Sequence, residues 1–268
     1  MSAEAIRVSP SWLALRERAD AASRSRELVS LIRRRLPSTR AWVIHDLACG
    51  SGAMSRWLAP RLPGRQRWIL HDRDEELLAV AAADVPSPSV AVETRVSDIT
   101  QIGPDGLTGA TLVTASAILD LLTRDELAAL VESCVGAGCP VLFTLSVTGH
   151  VRLDPADLLD ARVAAAFDAH QRRTAGRGRL LGPDAAAATV EAFREVGAEV
   201  VVAPSPWRLG PAENELAAEW LTGWIDAACE QEPVLAAEVE LYRRRRLRQA
   251  NGGQLDVTVD HADLLVLP

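Results

Sequence analysis

Short apolar runs alternate, along the first half of the chain, with segments whose apolar residues recur at helical spacing. This alternation is typical of a parallel sheet that is covered by helices on both faces, with right-handed crossovers between strands. The pattern therefore predicts an α/β fold. The predicted strands are 41–47, 67–71, 90–96, 110–115 and 140–147, and the predicted helices lie near 52–62, 74–83 and 124–135.

The flanking parts of the chain are richer in helix. Leu28, Leu31, Ile32 and Leu36 recur at helical spacing before Pro37, which predicts a helix over 11–36 in one or two pieces. Residues 150–181 form a polar stretch that favours helix. Further helices are predicted near 184–196, 213–229 and 233–249, and strands over 198–204 and 255–261, the last continuing to Leu267. We expect a helical cap over 1–40, and a main domain over 41–268 with lid insertions near 150–183 and 207–252.

Composition limits the classes of function. The chain has 268 residues, 48% of them hydrophobic, which is enough for one large core. Its net charge of -7 argues against a protein whose main ligand is a nucleic-acid backbone. The cysteines form no CxxC pair, so we expect reduced thiols and no metal site. With no signal-like N-terminus and no apolar run of about 18 residues, we expect a cytoplasmic protein without a membrane partner.

The strongest chemical signal is a strand-turn-helix segment over residues 41–58. An apolar strand ends in Asp46, and a turn containing Gly50 and Gly52 leads into a helix. Such a turn presents free main-chain N–H groups to a ligand. Glycine is needed where φ is positive or where the ligand leaves no room for a Cβ atom. The segment predicts a bound ligand, with Asp46 beside it to receive a cationic or hydroxyl-bearing group.

Acidic residues end three consecutive predicted strands: Asp46, Asp72 and Asp98. In a doubly wound sheet the carboxyl ends of the strands line one ligand-binding crevice. Asp72 follows Gly52 by about 20 residues, the spacing at which an acid accepts the ribose hydroxyls of an adenosine. Asp98, one strand further out, is placed to accept from an exocyclic amine.

Two nucleotide ligands suit such a crevice, NAD and S-adenosylmethionine (SAM). A dinucleotide site typically has a third glycine, and Ser55 stands at that position. Asp46 would also repel a pyrophosphate, whereas the ammonium and sulfonium groups of SAM are cationic. The residues therefore favour SAM, and an NAD-dependent oxidoreductase is the more distant alternative.

The segment Asp46-Leu-Ala-Cys-Gly-Ser-Gly52 resembles the first motif of the Rossmann-like (class I) SAM-dependent methyltransferases of small-molecule type. His71-Asp72 resembles their second motif, Ser97-Asp98-Ile99 their third, and residues 114–122 their fourth-strand segment. The resemblance covers residues 41–147. It implies a doubly wound, seven-stranded sheet in the order 3-2-1-4-5-7-6, with the last strand antiparallel and helices on both faces.

By position in these motifs, the resemblance also implies how the cofactor is held. Gly50 and Gly52 would approach the methionine part, and the main chain of Ala48 and Ser116 would bind its ammonium group. Asp72 would take the ribose. Arg16 and Arg24, in the first helices, are candidates for the SAM carboxylate. The cofactor-binding residues expected are Asp46, Ala48, Gly50, Gly52, Asp72, Arg73, Ser97, Asp98, Ile99, Ser116 and Arg24.

The acceptor side is less sharply defined by the sequence. Lids over one crevice favour an enclosed pocket for a small molecule. His150, just after the fifth strand, is a candidate general base, with a surface histidine as the alternative. The candidate substrate contacts are Asp120, Trp207, which would stack on a planar group, and Arg173, in an arginine-rich run that suits an acidic group.

The sequence thus predicts a SAM-dependent methyltransferase (EC 2.1.1.-) with a small-molecule acceptor. It does not determine the oligomeric state, and a homodimer is one possibility. One alternative is an RNA methyltransferase. The charge of -7 disfavours it, as does Thr-Ala-Ser-Ala after the fourth strand, where relatives that methylate bases often carry Asn/Asp-Pro-Pro-Tyr. A catalytically silent SAM-binding scaffold is the other alternative. The acceptor and its methylated atom (O, N or C) stay open.

Overall fold

The structure is a computed structural model of the chain, and it describes residues 8–35, 41–84, 87–176 and 178–268. The predicted cap over 1–40 therefore lies partly outside the described residues, and so do Leu36 and Pro37. Within them, the first helical segment is in two pieces, α1 (Pro10–Ser23) and α2 (Arg26–Arg35). The break falls at Arg24, whose extended backbone (ψ 137°) ends α1.

A twisted mixed sheet forms the centre of the molecule. Its order is β3-β2-β1-β4-β5-β10-β8, and β10 runs antiparallel to both of its neighbours. With the short strands omitted, this is the predicted order 3-2-1-4-5-7-6. The strands of this path are β1 (Trp42–Leu47), β2 (Gln66–Asp72), β3 (Val90–Val96), β4 (Leu112–Ser116), β5 (Val141–Asp154), β8 (Glu199–Pro204) and β10 (Asp256–Leu267).

Helices cover both faces of this sheet. On one face, α2, α3 (Ala53–Leu58) and α4 (Glu75–Ala83) pack against a core that includes Ile44 and Trp68. On the other, α5 (Arg124–Ala137) and α7 (Ala185–Glu195) pack against a core that includes Phe143. The sequence fixes where α5 begins, because Thr123 and Glu126 form a reciprocal capping box. The predicted fold class, a doubly wound α/β sheet, is confirmed.

A third apolar cluster lies beyond the carboxyl edge of the sheet. It joins α1 and the outer half of β5 to α6 (Asp160–Gln171), β9 (Trp207–Leu209), α8 (Asn214–Gln231) and α9 (Leu235–Asn251). Trp224 and Tyr242 are buried at its centre. The guanidinium group of Arg246 is buried there too and pairs with Asp160 at 2.5 Å. Of these elements, α6, β9, α8 and α9 fall within the segments predicted as lid insertions, 150–183 and 207–252, and their role as lids stays a prediction.

The structure corrects several predicted boundaries. β5 continues to Asp154 instead of ending at 147, because β10 pairs with it along its whole length and so overrides the weak local preference for helix. The short strands β6 (Thr174–Ala175) and β7 (Gly178–Arg179) pair antiparallel, and neither they nor β9 were predicted. The helix predicted over 52–62 ends at Leu58 and continues as a 3-10 turn through Arg61, where Pro60 lacks an N–H group.

Within the part of the chain that the structure describes, no helix combines the length and the apolar character needed to cross a membrane.

Candidate cofactor and acceptor site

Unusual backbone conformations occur in three adjacent strands of the sheet, just after β1 and β4 and within β5. Ala48 after β1, Ala117 after β4 and Leu145 in β5 have φ values of 50°, 52° and 57°. Among the described residues they are the only ones other than glycine with positive φ. The left-handed conformation costs a side-chain-bearing residue about 1–2 kcal/mol, and such outliers tend to lie at functional sites. They mark the edge where the winding of the sheet reverses, between β1 and β4.

The glycine turn after β1 is closely packed. Gly50 and Gly52 have φ values of 54° and 83°, which suit glycine alone without strain. A Cβ atom on Gly52 would lie 3.0 Å from the Cβ of Ala81 on α4, and one on Gly50 would lie 3.2 Å from Cδ1 of Leu13 on α1. Conformation and space therefore both require glycine at Gly52, and α1 lies directly over the turn.

Asp46 is a buried acid with one free oxygen. Asp46 lies near the end of β1 and is 1% exposed. Its Oδ1 accepts a 2.7 Å hydrogen bond from the hydroxyl group of Thr114. Oδ2 is buried and has no hydrogen-bond partner. Burial raises the pKa of Asp46 to about 7, against the opposing effects of the Thr114 hydrogen bond and the charge of Arg24. A cation that reached Oδ2 would hold this group in its charged form.

Arg24 is the matching buried cation. Arg24 is 3% exposed, and its Nη2 donates a hydrogen bond to Ser116 Oγ at 3.2 Å. Its Nε and Nη1 are buried and have no hydrogen-bond partner among the described residues. Burial lowers the pKa of Arg24, and the nearby carboxylates of Asp20, Asp263 and Asp46 act in the opposite direction. The described residues thus hold a guanidinium group and a carboxylate at one edge, each with buried atoms unsatisfied. A zwitterion, such as the amino-acid end of SAM, satisfies both.

Asp72 connects the glycine turn to the end of β2. Its Oδ2 accepts from the main-chain N–H of Gly50 at 2.8 Å, and its Oδ1 accepts from that of Asp74 at 2.9 Å. Each carboxylate oxygen keeps a second lone pair for a ligand hydroxyl. Asp74, and not Asp72, caps α4, so Asp72 is not committed to the helix. Arg73 is exposed beside it.

The third motif continues the same edge. Asp98 accepts from the main-chain N–H and the hydroxyl of Thr100, which shapes the turn after β3. Ile99 is half-buried next to it and packs against the α5 face. Ser97 Oγ lies 3.0 Å from Nδ1 of His71. These residues form one continuous rim with Asp72.

A buried histidine pair lies behind this rim, and it was not predicted. Nδ1 of His45 lies 3.0 Å from Nε2 of His71, and the rings stack with centroids 5.1 Å apart. Burial lowers the pKa of each to about 4. The available signal was the repeated His-Asp pair, His45-Asp46 and His71-Asp72, at the ends of two strands expected to be neighbours.

Two of the predicted substrate contacts, Asp120 and Arg173, interact electrostatically. Asp120 lies half-buried in the short 3-10 helix that follows β4. Burial raises its pKa to about 6, while the charges of Arg16 on α1 and Arg173 after α6 lower it. Arg173 is therefore close enough to Asp120 for its charge to act on that carboxylate, and the shared substrate site stays a prediction. Arg16 also pairs with Asp20 at 2.9 Å.

Trp207 and His150 occupy different surroundings. Trp207 is 2% exposed, its Nε1 donates to Asp20 at 2.9 Å, and Arg16 lies 4.9 Å above its ring. Arg16 thus links Trp207 to the Asp120 group, although the indole itself is a core residue. His150 lies inside β5 and not after it, is exposed, and faces the charge of Asp168 on α6. Its role as a base stays a prediction.

Comparison with known proteins agrees with this geometry. Residues 44–137 match a family model described as a methyltransferase domain, and no curated protein sequence matches the chain. The cyclopropane synthase MmaA2 from Mycobacterium tuberculosis superposes with a TM-score of 0.51 at 12% identity, over 97% of this chain and 94% of that one. A SAM-dependent methyltransferase from Thiobacillus denitrificans, in complex with S-adenosyl-L-homocysteine, gives 0.45 at 14% identity, over 98% and 100%.

The match over residues 44–137 supports the resemblance to the Rossmann-like, class I SAM-dependent methyltransferases, and the sheet has the strand order that this resemblance implies. The cofactor of that class is S-adenosyl-L-methionine.

Proposed function

We propose that this protein transfers a methyl group from SAM to a small-molecule acceptor. The observation that carries the proposal is the pair formed by Arg24 and Asp46, a buried guanidinium group and a buried carboxylate whose remaining atoms have no partner. They lie at the edge of the sheet where Asp72 accepts a hydrogen bond from Gly50 in the glycine turn. A bound ligand with a carboxylate, an ammonium group and a ribose satisfies these groups together.

In this proposal the cofactor is held by residues from three strand ends. Arg24 binds its carboxylate, and Asp46, with the main chain of Ala48 and Ser116, binds its ammonium group. Gly50 and Gly52 let the main chain approach closely. When bound, SAM supplies a methyl group on a cationic sulfur, which leaves as the neutral thioether of S-adenosylhomocysteine. The residues proposed for the adenosine half are Asp72, Arg73, Ser97, Asp98 and Ile99.

The acceptor site is proposed at Asp120. Because its pKa is raised only to about 6, the carboxylate is mostly ionised at neutral pH. It can then hold an amine or a hydroxyl of the acceptor and take up a proton that methylation releases. Arg173 and Arg16 face the same group and can hold an anionic part of the acceptor. His150 is kept as a second candidate base, on the α6 side.

Several observations support a small acceptor. α1 lies over the glycine turn, with Leu13 3.2 Å from a Cβ built on Gly50. The elements α6, α8 and α9 pack together beyond the same edge. The net charge of -7 disfavours an extended polyanion such as RNA. Enclosure of this kind positions the acceptor and keeps water away from the reacting atoms.

The test is formation of S-adenosylhomocysteine from SAM with a panel of small amines, phenols and carboxylic acids, and with RNA. We expect turnover with at least one small acceptor. With that acceptor, Asp120→Asn should lower kcat/KM by at least about tenfold, a loss of about 1.4 kcal/mol of transition-state stabilisation. Glu219→Gln, an exposed change on α8, serves as the control. Turnover with RNA alone, or SAM binding without any turnover, would contradict the proposal.

A further inference from the structure

A second concave site lies between α2 and the 3-10 turn that follows α3. It encloses about 420 Å³, with Val29 and Leu62 among the apolar residues and Ser30 at its side. Three arginines line it: Arg26, Arg33 and Arg61. None of its lining residues is a cofactor or acceptor candidate. We refer to it as the arginine groove.

Among the described residues, the arginines of this groove have no carboxylate partners. No ion pair there joins Arg26, Arg33 or Arg61 to an acid, whereas Arg35 at the end of α2 and Arg56 on α3 pair with Glu199 and Glu17. Burial and the like charge of Arg26 lower the pKa of Arg61. The protein as a whole is acidic, with a net charge of -7, so this positive concavity is a local feature. Uncompensated guanidinium groups around one concavity suit a multiply charged anion.

The groove is joined to the cofactor edge through one tryptophan. The guanidinium carbon of Arg61 lies 4.8 Å from the centroid of the Trp57 ring, and that of Arg24 lies 5.6 Å from the same centroid. Arg61 Nη1 also donates to the main-chain carbonyl of Trp57. The indole N–H of Trp57 donates to Ala21 O at 3.0 Å, which fixes the ring against α1. Arg26 follows Arg24 by two residues at the start of α2. Arg61 and the side chain proposed to bind the SAM carboxylate therefore both lie against the same indole ring.

We propose that the arginine groove binds a small molecule carrying phosphoryl groups, and that this binding weakens cofactor binding through Trp57 and Arg24. Planar guanidinium groups bind phosphate oxygens in pairs. A volume of about 420 Å³ lies within the usual range of small-ligand sites and is far too small for a duplex. The coupling is negative because the two anions, the phosphoryl group at Arg61 and the SAM carboxylate at Arg24, would lie at guanidinium groups on the same indole ring, and like charges repel. By linkage, SAM must weaken the phosphoryl ligand by the same factor.

The test is a calorimetric titration of the full chain with inorganic pyrophosphate, which does not depend on the proposed methyl transfer. We expect 1:1 binding that Arg61→Gln and Arg33→Gln each weaken at least about tenfold. Arg194→Gln, which removes an exposed arginine on α7, should bind as the unchanged protein does. Thermal melting of each variant checks that the fold is kept. Arg33 is exposed whereas Arg61 is half-buried, so Arg33→Gln is the safer of the two substitutions.

Three results would overturn the site. They are absence of saturable binding, equal loss in the Arg194→Gln control, and an Arg61-dependent preference for anionic lipid vesicles or RNA over pyrophosphate. The coupling has its own readout, the affinity for S-adenosylhomocysteine with and without saturating pyrophosphate. We expect a decrease of at least about fivefold, abolished by Arg61→Gln. Pyrophosphate binding with unchanged S-adenosylhomocysteine affinity would contradict the coupling, and failure of S-adenosylhomocysteine to bind at all would instead contradict the proposed function.

Discussion

The main-chain N–H of Gly50 donates a 2.8 Å hydrogen bond to Oδ2 of Asp72. This bond joins the turn after β1 to the end of β2, two parts of the chain that are each proposed to touch the cofactor. It holds the Asp72 carboxylate in place before any ligand arrives. A site assembled in advance in this way loses less entropy when the ligand binds.

Gly52 is required by both its conformation and its neighbours. Gly52→Ala should lower the free energy of unfolding by about 2–4 kcal/mol, since it combines the left-handed strain of about 1–2 kcal/mol with a 3.0 Å approach to the Ala81 Cβ. Gly197→Ala is the matched control, because Gly197 has φ of 86° and open space around its Cβ position. Denaturant unfolding of both variants measures the difference. Equal losses would mean that close packing at Gly52 contributes nothing.

Cofactor affinity should depend on pH through Asp46. Its pKa in the free protein is raised to about 7, so the carboxylate takes up a proton below that pH. A ligand ammonium group favours the ionised form, and affinity should therefore fall as the pH drops below 7, by up to about tenfold per unit. Calorimetry should measure the affinity for S-adenosylhomocysteine at about pH 5.5 to 8, a range that spans the pKa of Asp46. Asp46→Asn should bind weakly with little pH dependence, and a slope retained in that variant would assign the effect to another group.

The histidine pair should make the fold sensitive to acid. His45 and His71 have pKa values lowered to about 4 by burial, against about 6.5 in the unfolded chain. The unfolded chain therefore binds more protons, so this contribution to stability is complete above about pH 6.5 and is lost as the pH falls towards 4.

The comparison of unchanged protein with His45→Gln isolates that effect, because the buried acids contribute equally to both. Between pH 7.5 and 5, the unchanged protein should lose about 2 kcal/mol more of its free energy of unfolding than the variant does. Denaturant titrations at the two pH values supply the measurement. Parallel losses in both proteins would show that His45 is not held neutral by the fold.

His150 and Asp120 have different charged neighbours in the structure. His150 is exposed on β5 and faces Asp168, whereas Asp120 faces Arg16 and Arg173. We therefore expect His150→Ala to lower kcat by less than about tenfold with an acceptor that the enzyme methylates, and Asp120→Asn to lower kcat/KM by more. The larger loss in His150→Ala would restore the base role that the sequence suggested for it.

The central part of the fold was predictable from local patterns. The strands β1, β2 and β4 are short, mostly buried runs, and the glycine turn and the acids at strand ends identify the winding and the ligand-binding edge. The partnership of Arg24 with this edge also followed from its place in the first helices. The burial of Arg24 and its contact with Ser116 were not predictable, because both depend on the break between α1 and α2.

The outer elements were less predictable, because long-range pairing decides them. Residues 150–154 have a polar sequence that favours helix, yet they form strand since β10 offers them a partner. That extension moves His150 onto β5. Trp207 likewise suggested a stacking surface, but the packing of α1 against β9 buries it beneath Arg16. Neither outcome follows from residues near in sequence.

The most direct test of the account is the affinity of Asp72→Ala for S-adenosylhomocysteine. Removing this carboxylate takes away the proposed ribose acceptor and the hydrogen bond that holds Gly50. We expect calorimetry to show binding to the unchanged protein and to Glu219→Gln, and a loss of at least about a hundredfold, about 2.7 kcal/mol, in Asp72→Ala. Equal affinity in Asp72→Ala and the unchanged protein would contradict the placement of the cofactor at this edge.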